Sequence, residues 1–120
     1  EGLKTGLAKL KEIRKEFETE LFIPGSKEGL NIELDKAFRL DDFITMGQLI
    51  AYDALNREES CGGHFREEYQ TEEGEAKRDD ENFFYVACWE YQGSDDKAPV
   101  LYKEPLVYEA IKVQTRNYKS

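Results

Sequence analysis

The chain of 120 residues reads as mainly α with a small β part (α+β): two long antiparallel helices of a truncated helical bundle, then a C-terminal β-hairpin. Three observations predict this class. Apolar residues recur every three or four positions from about 3 to 22. A second helical run, apolar on more than one side, spans about 31–57. An aromatic and β-branched run at 83–91 precedes a turn and another short apolar run. The first two periods belong to helices and the third composition to a half-buried strand.

In the first helix Leu3, Leu7, Leu10, Ile13, Phe17 and Leu21 form one stripe, with Lys4, Lys11, Glu12, Lys15, Glu16 and Glu18 on the other face. Pro24-Gly25-Ser26 ends it and turns the chain. Asn31 is the expected N-cap of the second helix, and Glu33 and Asp35 complement its dipole. The apolar residues of this helix predict contacts on two sides. Gly47, in mid-helix, is expected to allow close packing.

Residues 58–68 form a charged corner around two glycines, and 69–82 read as an acidic loop. The strand is expected from Phe83 to Tyr91, with Tyr85, Trp89 and Tyr91 sharing a face that packs in the core. Gly93 to Lys97 forms the turn and Val100 to Lys103 the return strand, which Pro105 limits. Ile111 and Val113 alternate with Lys112 and Gln114, the pattern of one more half-buried extended piece within the tail to 120. The whole is read as a single domain over 1–120. Two helices make a weak core, so either the hairpin covers the remaining apolar surface or a helix is missing and the chain is a fragment.

A formal net charge of -9, with no basic stripe, argues against nucleic acid and anionic membranes as partners. No apolar run approaches the roughly 20 residues that cross a bilayer. The amphipathic start is not a signal peptide. Cys61 and Cys88 are expected to be free thiols in a reducing, cytoplasmic setting.

The corner holds the candidate site: Ser60, Cys61, Gly62, Gly63, His64 and Arg66, with Arg78, Asp79 and Asp80. His64 is the only histidine and lacks a nucleophile at an evident Ser-His or Cys-His spacing. Cys61-x-x-His64 supplies two ligands where structural zinc needs about four. Arg78-Asp79-Asp80-Glu81-Asn82 lacks the spacing of a calcium loop and fits a salt-bridge network with Arg57 and Arg66. No residue is therefore assigned to catalysis, cofactor or metal. The nine residues are read as an interdomain docking corner.

These residues carry a resemblance. Arg57-Glu58-Glu59-Ser60-Cys61-Gly62-Gly63-His64-Phe65-Arg66-Glu67-Glu68, then Arg78-Asp79-Asp80-Glu81-Asn82-Phe83, resembles the C-terminal part of the succinate dehydrogenase and fumarate reductase flavoprotein subunit. Leu7 to Ile13 and Asn31 to Ala37 look like that domain's helical segments. Cys61 departs from the pattern by standing where the family usually has arginine, and a thiol cannot make a guanidinium's bidentate contacts.

The resemblance implies a helical domain packed on a flavin-binding body, with a preceding helix upstream of Glu1. It implies a parent that interconverts succinate and fumarate with FAD and passes electrons to an iron-sulfur subunit and quinone. The parent would lie on the cytoplasmic face of the inner membrane and meet a membrane anchor only indirectly. FAD belongs to the parent's other part, since no Gly-x-Gly-x-x-Gly follows a strand here. The isolated chain is expected to be inactive. Two alternatives stand beside this: a free-standing helical interaction module, self-associating through the first-helix stripe, and the equivalent domain of an aspartate-oxidising flavoenzyme. The run from Arg78 to Asn82 fits the succinate and fumarate group better than the latter.

Overall fold

The structure is a computed structural model that describes residues 1–94 and 97–115. The turn expected at Asp95 and Asp96 and the tail at 116–120 lie outside the described residues. The chain divides into two compact units, Glu1–Asn56 and Arg57–Ser120. The elements are those of the α+β class: two long helices and a two-stranded antiparallel sheet.

In the first unit α1 spans Gly2–Glu20 and α2 spans Ile32–Asn56. Arg14 of α1 donates to Asp41 Oδ1 at 2.8 Å and to Thr45 Oγ1 at 2.6 Å. Leu10, one turn earlier, packs beside Gly47, one turn later, so the helices run antiparallel. The α1 stripe meets the α2 face that carries Ile44, the only buried apolar residue among those described, at 4% exposure.

Asn31 caps α2 as expected, its Oδ1 accepting from the N–H groups of Glu33 (3.1 Å) and Leu34 (3.2 Å). Its Nδ2 donates back to Pro24 O at 3.2 Å. The same nitrogen lies 2.9 Å from where a Cβ on Gly25 would sit, and Gly25 has φ +110°. One asparagine thus fixes both the helix start and the loop before it. The expectation for Gly47 is corrected: a Cβ there would touch the Leu10 methyls at 3.8 and 3.9 Å, which is ordinary contact and not a clash.

The expectation that α2 makes contacts on two sides is corrected: it is apolar on two sides, but only one of them is covered. Ala37, Ile44 and Leu55 lie on one face, while Phe43 (68% exposed), Met46 and Ile50 line another that stays open. No helix among the described residues is long and apolar enough to cross a membrane.

In the second unit α3 (Asp80–Phe83) precedes strands β1 (Tyr85–Glu90) and β2 (Val100–Pro105). The register runs from Tyr85 opposite Pro105 to Glu90 opposite Val100. Tyr85, Ala87 and Trp89 face inward, and Val86, Cys88 and Glu90 outward.

Three expectations are corrected here. Residues 69–82 are not all loop, because Asp79 accepts from Asn82 N at 3.2 Å and caps α3, which draws Phe83 out of the strand. Tyr91 lies beyond β1 and is 68% exposed, so it does not share the inward face. Residues 111–115 form no strand and are exposed, since no neighbouring strand among the described residues offers them a ladder.

Candidate functional site

The corner is built by backbone first. Cys61 N donates to His64 O at 2.8 Å and His64 N to Cys61 O at 3.1 Å, which closes a two-residue hairpin. Gly62 has φ +59° and Gly63 does not have positive φ. A glycine at the first central position alone is the requirement of a type II′ turn. Ser60 sits directly behind, at 0% exposure. Its Oγ accepts from Arg66 N at 2.8 Å and donates to Arg66 O at 3.2 Å, so one hydroxyl zips both arms of the corner.

Three arginines then lock the corner, each against a carboxylate two residues ahead. Arg57 meets Glu59 at 2.8 Å, Arg66 meets Glu68 at 2.9 Å, and Arg78 meets Asp80 at 2.6 Å. The expected network joining Arg78, Asp79 and Asp80 to Arg57 and Arg66 forms in part: these three ion pairs are local to their own segments. The link between segments is Glu59, 3% exposed, whose second oxygen accepts from Asp79 N at 3.0 Å.

Arg57 acts as a neighbour strand for β1. It donates to Phe83 O at 2.9 Å and to Tyr85 O at 3.1 Å, and its guanidinium stacks 5.0 Å from the Tyr85 ring centre. Leu106 N donates to Phe84 O, so Phe84 points its carbonyl towards the β2 side. In antiparallel pairing the adjacent residues turn theirs the other way. Arg57 covers that otherwise bare edge.

His64 Nε2 lies 3.0 Å from Arg57 O. A carbonyl only accepts, so Nε2 carries the proton. Arg66 stacks over Tyr69 at 4.8 Å and holds the Glu68 carboxyl below its ordinary range by a direct hydrogen bond. Arg78 is raised further above its usual value, mainly by its hydrogen bond to Asp80. At the tip Gly62, Gly63 and Phe65 remain exposed.

The nine predicted residues thus divide. Ser60 is sealed inside and builds the corner without offering a surface. Cys61, His64 and Arg66 are half-buried, with Gly62 and Gly63 at the tip. Arg78, Asp79 and Asp80 are brought beside them through Glu59. Sequence reasoning named Arg57 as a salt-bridge partner and Glu59 only within the motif, and missed that they are its hub. The Arg-x-Glu spacing was the available signal.

Among the described residues no Ser or Cys side chain hydrogen-bonds the His64 ring: the Ser60 hydroxyl is engaged at Arg66 and His64 Nε2 at Arg57. No three His, Cys, Asp or Glu residues gather around a metal position among the described residues. The sheet is two-stranded and antiparallel, unlike the parallel βαβ unit that cradles a dinucleotide.

The chain belongs to the family described as fumarate reductase flavoprotein C-term, which matches residues 1–118. No curated protein and no solved structure matches it.

Proposed function

We propose that this chain is the docking domain of a flavoprotein subunit that interconverts succinate and fumarate. Binding of FAD and chemistry lie in a separate flavin-binding body, and electrons leave through an iron-sulfur subunit to quinone. The parent then works on the cytoplasmic face of the inner membrane. One observation carries the docking role. The corner's charged side chains are engaged inside the chain, while a rigid tip of bare glycine backbone, with Phe65 beside it, faces outward. Such a tip lets another surface approach without having to be ordered first. The open α2 face of Phe43, Met46 and Ile50 supplies a second contact area, suited to an apolar helix of the parent.

The test is calorimetric titration of the chain into the separately produced flavin-binding body. The expected result is a one-to-one complex, with no succinate turnover by the chain, FAD and an artificial acceptor alone. Failure to bind, or turnover by the chain alone, sinks the proposal. The open α2 face also favours the interaction-module reading, which light scattering checks: a dimer abolished by Phe43→Asp, with no affinity for the flavin-binding body, selects it. α1 packs on α2 at Leu10 and Arg14, while Ile13 and Leu21 of its stripe stay exposed and give the same reading a second surface.

A further inference from the structure

We propose that residues 111–115 are a strand in waiting, added to an exposed sheet edge of the flavin-binding body when the corner docks. This rests on the docking reading above and extends its contact surface. Ile111, Val113 and Thr115 alternate with Lys112 and Gln114, so an extended backbone puts the branched side chains on one face and the polar ones on the other. Branched residues disfavour a helix at this site and favour a pleated surface. Yet the segment lies in no strand, and Ile111 is 66% and Val113 41% exposed. Among the described residues, no backbone N–H from 107 to 115 finds a backbone acceptor.

The segment is held in place nevertheless. Leu106 N donates to Phe84 O at 3.2 Å, and the Tyr108 ring meets Phe84 edge-on at 5.9 Å. At the far end Arg78 donates to Gln114 O at 3.4 Å. Arg78 is a corner residue, so the surface that meets the glycine tip also lies near this backbone. A row of unpaired amides recognises another extended backbone, and alternate side chains choose its depth. The occupant is therefore a strand edge with apolar room for two branched side chains.

Amide hydrogen exchange tests this in the full chain, free and bound to the flavin-binding body. Alternate amides within 111–115 exchange at least about tenfold more slowly in the complex, and quickly in the free chain. Val113→Pro removes one donor, weakens binding about tenfold or more, and leaves the free chain's Trp89 fluorescence melt unchanged. A complex that forms while these amides exchange as in the free chain overturns the inference and spares the docking reading. Protection that grows with concentration of the chain alone also overturns it, by assigning the strand to a second copy. Absence of any complex removes both.

Discussion

Residues 1–56 and 57–115 are held by opposite means. In the helical hairpin an apolar stripe meets an apolar face around Ile44, with polar contacts from Arg14 at the rim. In the corner and ribbon, the innermost groups are a serine and a glutamate, Ser60 and Glu59. Apolar contacts are non-directional and tolerate sliding. Hydrogen bonds to Arg57, Arg66 and Asp79 fix position and angle, because each fails when its geometry drifts. A region that must present one shape gains from the second kind of glue. Such glue is also brittle: removing one partner of a buried polar pair leaves the other stranded.

Arg57→Ala is the sharpest way to break the contrast. It strips Glu59 of its ion pair, uncovers the Phe83 and Tyr85 carbonyls and removes the stacking on Tyr85. The expected loss is about 3–5 kcal/mol. Trp89, the only tryptophan, reports on this region by fluorescence, while helical circular dichroism reports mainly on residues 2–56. In urea the Trp89 transition should fall and the helical one stay. Arg57→Lys should recover little, because an ammonium cannot span both carbonyls and the carboxylate. If both transitions move together, the two regions unfold as one and the contrast is only descriptive.

Legibility follows the same division. The cap at Asn31 and the α1 positions Leu3, Leu7, Leu10 and Phe17 were readable because each is set by residues within a few turns, whereas Ile13 and Leu21 stay exposed and the second apolar side of α2 has no cover. The hairpin was readable from its composition, but its start was not: Asp79 and Asn82 build a four-residue helix that overrides the strand preference of Phe83. The corner's boundaries were readable from its glycines and charges. The burial of Glu59 was not, since it depends on Asp79, twenty residues away. Residues 111–115 carry a strand pattern that their own chain does not complete.

The apolar hairpin offers a smaller, opposite test. Gly47→Ala adds a methyl where the Leu10 methyls lie at 3.8 and 3.9 Å, without a clash. Alanine in a helix interior is favoured over glycine by about 1 kcal/mol. The helical transition should shift to higher urea by that amount and the Trp89 transition should stay. Destabilisation would mean that α1 and α2 approach more closely in solution than 3.8 Å allows, restoring a packing role for the glycine.

The least effect is expected from Glu68, a largely exposed member of the polar lock, and it carries a pH signature. The Glu68 carboxyl is held below its ordinary range mainly by the Arg66 hydrogen bond. A carboxyl lowered in the folded state adds stability above its unfolded value, and that stability is lost as pH falls through the folded value. Wild type should therefore exceed Glu68→Gln in Trp89-monitored urea midpoint near neutral pH, and the gap should close as acid protonates the Glu68 carboxyl below the ordinary carboxylate range. Because Glu68 is 53% exposed, about 1 M salt should narrow the gap already at neutral pH. A gap that ignores both pH and salt would show that Glu68 acts by packing, and that even the rim of this corner is held as the helices are.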